Sequence, residues 1–135
     1  MLVADGRNCR LRNLELVILR SITNSGGQAF EVLGVAGGIP AINGIPGTVH
    51  SGATVSISSL CMDGTQKQFA FTAAHELGHT LGLYHSTEQN GTKDQMTDND
   101  SDGSSNLMYW SEASAQGKLS PQQQAVMLVN PVVRP

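Results

Sequence analysis

His75-Glu76-Leu77-Gly78-His79-Thr80-Leu81-Gly82-Leu83-Tyr84-His85 is the stretch from which the rest of the chain is best read. On a helix, residues four apart lie about one turn and roughly 6 Å apart along the axis, so His75 and His79 present both imidazoles on one face. Gly82 comes three residues after His79, where the chain must turn in a conformation that glycine adopts easily. His85 can then swing back towards the first two. Three neutral imidazoles leave the fourth position of a tetrahedral zinc ion open, which is the arrangement of a catalytic site. A structural zinc site is poorly supported, since such sites are usually four-ligand and cysteine-rich and this chain has two cysteines. The helix should begin near Thr65, capped after the Asp63-Gly64 turn, and run to about Leu83. Phe69, Thr72, Ala73, Leu77 and Leu81 fall at helical spacings and read as a core stripe. Ala74 and Gly78 are small enough to let another element approach closely.

With the lone methionine of Asn106-Leu107-Met108-Tyr109-Trp110, the pattern H-E-x-x-H-x-x-G-x-x-H resembles the zinc-binding signature and Met-turn of the metzincin metallopeptidases. A bare H-E-x-x-H also fits two surface histidines on an ordinary helix. Gly82, His85 and the downstream methionine at their required places make coincidence remote. The resemblance implies one Zn2+ ion held by His75, His79 and His85. It implies that Glu76 acts as general base on a water and later passes the proton to the leaving amine, so that peptide bonds of a peptide or protein substrate are hydrolysed. Met108 would lie beneath the imidazoles as an apolar, polarisable floor. The implied fold is α+β: a twisted mixed sheet over the active-site helix, then a small lower subdomain with the Met-turn and a C-terminal helix. Residues 1–85 would form the upper part and 86–135 the lower part of one domain. Small bacterial members, matrixin-like or pappalysin-like, are the expected kin, and Ser86 directly after the third histidine is similar to the matrix-degrading branch. Tyr109 and Trp110 would contribute to the wall of the primed-side pocket. Some members place a tyrosine two residues after the methionine; Trp110 holds that place here, which argues against a tyrosine switch.

Composition fits one small globular domain. A chain of 135 residues buries roughly two-thirds of its unfolded surface. A net charge of -3 with 14% charged residues gives no nucleic-acid footprint and no basic membrane-binding face. No apolar run approaches the roughly 18 residues of a membrane span. Asp5, Arg7, Arg10 and Arg12 interrupt any apolar region after Met1, so no signal peptide is read here. Low charge and abundant Gly, Ser, Thr and Asn nonetheless fit a secreted or periplasmic enzyme, in which Cys9 and Cys61 could form one disulfide. Two unpaired thiols in a reducing compartment are the alternative. The zinc-capping propeptide cysteine of some relatives is a third reading, but Gly6-Arg7-Asn8-Cys9-Arg10 lacks its surrounding pattern.

Leu14 to Ile22 is β-prone and nearly continuously apolar in its middle, as expected of a strand covered on both faces inside a sheet. Glycines and prolines from Gly26 to Gly47 mark a loop system with at most a short strand around Phe30 to Val35. Residues 49–58 alternate apolar and small polar residues and read as a half-exposed strand. By the resemblance, this strand would be the edge that pairs with an extended substrate, a role that needs unpaired backbone groups. His50, the only histidine outside the motif, reads as an ordinary strand or loop residue. Glu88, Asp94, Asp98, Asp100 and Asp102 make an acidic segment, and Asp98-Asn99-Asp100-Ser101-Asp102-Gly103 has the opening of a calcium loop. Tyr109 stands where the closing glutamate belongs, so a solvated acidic loop is preferred over a Ca2+ site. Near the end, Ser120 reads as an N-cap, Pro121 as the first helical residue and Gln123 as the other half of a capping box, with Val126 and Val129 buried and Pro131 ending the helix.

One departure stands against the resemblance. Metzincin upper subdomains open with a strand and a long backing helix, and neither is legible in residues 1–13. A sheet lacking that cover would expose an apolar patch and favour self-association. The alternative to a zinc-dependent endopeptidase is therefore a zinc-binding peptide-recognition module or an inactive fragment; Glu76 favours the enzyme, since a binding module would not need that carboxylate.

Overall fold

The computed structural model describes residues 14–23, 31–41, 51–57, 66–111 and 117–133. The strands are β1 (Leu16–Leu19), β2 (Ile22–Thr23), β3 (Glu31–Val32), β4 (Gly34–Ala36) and β5 (Ala53–Ser56). The helices are α1 (Gln66–Thr80) and α2 (Pro121–Val129), with short 3-10 turns at Thr97–Asn99 and Gly103–Ser105 between them. β5 is the middle of a three-stranded sheet, parallel to β1 and antiparallel to β4, while β2 and β3 pair as a separate antiparallel ribbon. The chain is thus mixed α+β, as the resemblance implies.

Two strand readings are corrected. The strand read at Leu14 to Ile22 is not inside the sheet: β1 pairs only with β5 among the described residues, and its four residues are all exposed. The described part of 49–58 is not a half-exposed edge either, because Ala53, Val55 and Ser56 are buried at the centre. Hydropathy pattern reports what a strand's side chains are, not its place in the ladder. Ala and Ser suit the centre because their small side chains let α1 pack closely, and the Ser56 hydroxyl satisfies itself on the Arg20 carbonyl at 3.3 Å. The edge on the other side of the sheet is β4.

α1 ends in a glycine-centred cap. The Leu83 amide donates to the Gly78 carbonyl at 3.0 Å and the Gly82 amide to His79 at 2.9 Å, with Gly82 at φ +107°. The regular helix therefore closes at Thr80, somewhat before Leu83. Its buried side is polar, comprising Thr72, His75, Glu76, His79 and Thr80 along with Gly78. Of the expected apolar stripe, Thr72 and Leu81 are buried, whereas Phe69, Ala73 and Leu77 are half-buried. Thr65 lies outside the described residues, as do His50, Cys9, Cys61 and residues 1–13.

The core forms below the helix, from Leu83, Leu107 and Met108, with Ala74, Met96, Leu119 and Val126 packed against them. Gly78 permits this contact: a Cβ there would sit 2.5 Å from Met108 Sδ. α2 begins as read, since Ser120 Oγ accepts from the Gln123 amide at 3.2 Å and Gln123 Oε1 accepts from the Ser120 amide at 2.9 Å. Its buried residue is Gln123, however; Val126 is half-buried and Val129 is 57% exposed. Val129 is the last residue of α2, directly before the buried Asn130 C-cap. The acidic segment is internally tied. Asp94 accepts from the Met96 amide and Asn99 Nδ2, Asp98 from the Gln122 amide, and Asp102 from Asn106 Nδ2, while Asp100 pairs with Lys93.

Candidate metal centre

His75 and His79 lie one turn apart on the buried side of α1, and the Gly82 cap returns the chain so that His85 faces them. The three Nε2 atoms converge: 3.1 Å from His75 to His79, and 3.2 Å from His85 to each of the others. Zinc with nitrogen ligands at about 2.0–2.1 Å in tetrahedral geometry needs those nitrogens roughly 3.3 Å apart, so the spacing fits. The outer nitrogens fix the tautomers. His75 Nδ1 donates to the Leu107 carbonyl and His79 Nδ1 to the Leu83 carbonyl, each at 2.7 Å. A carbonyl can only accept, so these Nδ1 atoms carry the hydrogens and both Nε2 lone pairs point inward. Lone pairs aimed at one another repel unless a cation lies between them, and the donor set therefore fits a metal ion. Among the described residues these three histidines form the only cluster of metal-ligating side chains that could hold one.

Burial also keeps His79 in its ligating form. Desolvation, opposed by the Leu83 hydrogen bond and assisted by the neighbouring imidazoles, lowers the His79 pKa to about 4. At neutral pH this ring is uncharged, which is the form that binds metal.

His85 is held differently. Its Nδ1 lies 3.0 Å from Glu88 Oε2, a carboxylate that is largely exposed. Sequence reasoning read Glu88 only as part of an acidic segment and missed this contact. Its signal was local, because a carboxylate three residues beyond the last ligand is close enough to orient that ligand.

Glu76 is 6% exposed, on the same helix side as the histidines. β4 crosses directly over it: a Cβ on Gly34 would lie 2.6 Å from Glu76 Cγ, 2.9 Å from its Oε1 and 2.9 Å from Thr72 Cγ2. Only a residue without a side chain lets the sheet edge and the carboxylate come this close. Met108 is fully buried against Gly78 beneath the helix. Tyr109 and Trp110 follow it with ring centroids 6.0 Å apart, Tyr109 half-buried and Trp110 at 37% exposure. The structure thus brings His75, His79 and His85 together, carries Glu76 on the same helix as His75 and His79, and packs Met108 against that helix at Gly78.

Residues 32–134 match the family model of the reprolysin-like metallopeptidases, described as Metallo-peptidase family M12B Reprolysin-like. No curated protein and no solved structure matches the chain. The matched region spans most of the sequence, and the chain belongs to this family of zinc metallopeptidases.

Proposed function

We propose that this chain is a zinc-dependent endopeptidase in which His75, His79 and His85 hold the metal, Glu76 moves the proton and Met108 supports the histidines from below. The observation that carries the reading is the convergence of three inward-facing Nε2 atoms at 3.1–3.2 Å beside a buried glutamate of the same helix. Zinc bound there would supply Lewis acidity that polarises a carbonyl and acidifies water. Glu76 takes a proton from the attacking water onto its carboxylate and returns it to the leaving amine nitrogen. The Leu107 and Leu83 carbonyls and the Glu88 carboxylate keep the three rings oriented.

An extended substrate backbone needs an unpaired strand edge. The role first read at residues 49–58 passes to β4, which pairs with β5 on one side and with no strand on the other among the described residues. Its closeness to Glu76 would put the scissile bond beside the proton carrier. Tyr109 and Trp110 are assigned to the wall of the same cleft. In this reading residues 1–85 form the upper part and 86–135 the lower part of one catalytic unit. A secreted or periplasmic location fits the composition, and no described helix is long and apolar enough to cross a membrane. The likeness of Ser86 to the matrix-degrading branch rests on one residue and assigns no substrate.

The test is cleavage of a mixed peptide library by zinc-loaded protein, beside a chelator control and Glu76→Ala. Cleavage should vanish with chelator and fall about 10²- to 10⁴-fold in the variant while one equivalent of zinc stays bound. Full activity of Glu76→Ala would remove the glutamate from its role. One bound zinc with no cleavage of any peptide would leave the binding-module alternative standing.

A further inference from the structure

A cleft of about 500 Å³ opens beside the third histidine, and neither Tyr109 nor Trp110 lines it. Its walls include His85 and Glu88, Lys93 and Asp94 from the following segment, and the apolar side chains of Met96 and Val126. That volume is within the range of small-ligand sites, roughly 300–1,000 Å³. The charges around it are already engaged. Glu88 faces His85 Nδ1 at 3.0 Å, and Asp94 accepts from the Met96 amide at 2.9 Å and Asn99 Nδ2 at 3.2 Å. Lys93 Nζ donates to the Asp100 carbonyl at 2.7 Å and pairs with its carboxylate at 3.3 Å. A charged occupant would meet groups that already have partners, whereas an apolar one buries surface against Met96 and Val126.

Resting on the peptidase reading, we infer that this cleft is a specificity pocket that takes one bulky apolar side chain of the substrate. Its wall is the imidazole of a metal ligand, so a peptide held at the metal can drop a side chain into it while its backbone follows the sheet edge. The pocket is distinct from the wall assigned to Tyr109 and Trp110, and selectivity would then be set by two separate surfaces. The segment from Thr92 to Met96, one rim of the cleft, would tune that selectivity without touching the proton carrier.

The experiment profiles cleavage of a randomised peptide mixture by the zinc-loaded chain, by Val126→Phe, which fills the cleft from α2, and by Thr92→Trp, which fills it from an exposed position that the core does not use. The wild type should favour a bulky apolar residue over glycine at one substrate position by about ten-fold, and each filling should abolish that preference at that position alone. A uniform loss across all positions in Val126→Phe would report damaged packing, and Thr92→Trp then decides. A position-specific preference unmoved by Thr92→Trp overturns the pocket while the peptidase reading survives. No cleavage of any peptide by the wild type removes that reading, and the pocket's role with it.

Discussion

Leu16 to Leu19 and Leu107-Met108 are both apolar stretches, yet the first four residues are 38–54% exposed while the second two are 8% and 0% exposed. The exposed stretch is regular β-strand; the buried one belongs to no strand or helix. What separates them is anchoring. β1 is held by one ladder to β5. Around Met108, the Leu107 amide donates to Lys118, the Ser86 amide to the Met108 carbonyl, and His75 Nδ1 to the Leu107 carbonyl. Asn106 completes the set: its Oδ1 accepts from the Met108 amide and Gln123 Nε2, and its Nδ2 donates to Gln123 Oε1 and Asp102. Irregular backbone can be the more firmly fixed part of a protein when every polar group on it has a partner.

The contrast can be broken at several points. Asn106→Ala should have the largest effect, since it strips several buried hydrogen bonds and leaves the Gln123 amide and the Met108 amide without their partners. A loss of roughly 2–4 kcal/mol is expected in denaturant unfolding, against ordinary values near 1 kcal/mol per bond and more for groups left buried and unsatisfied. A loss below about 1 kcal/mol would mean that the network is not what holds the Met108 segment. Gly78→Ala should cost about 1–3 kcal/mol by forcing Met108 Sδ aside; a stability equal to wild type would show that the methionine floor moves freely. Glu88→Ala tests the exposed side of the metal centre. Loss of such an orienting partner lowers metal affinity by about 10- to 100-fold, readable by competition with a chromogenic chelator, with unfolding in the absence of metal little changed. An unaltered affinity would leave His85 oriented by its backbone alone. Ile18→Thr, on the exposed strand, should change stability by less than about 0.5 kcal/mol. A larger loss would mean that β1 is covered in solution, and a sedimentation measurement would then say whether a second copy covers it.

The metal cluster was legible because its information is local: two ligands share a helix face, and Gly82 takes the positive φ that the return of His85 requires. The start of α2 was legible for the same reason, since Ser120 and Gln123 bond within one turn. Strand order was not. β1 is the more apolar strand and β5 the more central one, and only pairing partners far along the chain decide between them. Val129 has a helical, apolar sequence environment yet is 57% exposed, because which face of α2 is covered depends on where the helix docks. The closeness of Gly34 to Glu76 was invisible as well, because it joins a short strand in a glycine-rich region to a helix much later in the sequence.

The Gln123–Asn106 contact also bears on the order in which the molecule becomes competent. The histidines are made first, the methionine next, and the glutamine that braces the methionine's neighbour after both. A growing chain therefore carries all its metal-binding groups before it can seat the surface beneath them. Synthesis itself acts as a delay: the three imidazoles can meet before α2 exists, but the brace beneath them must await Gln123.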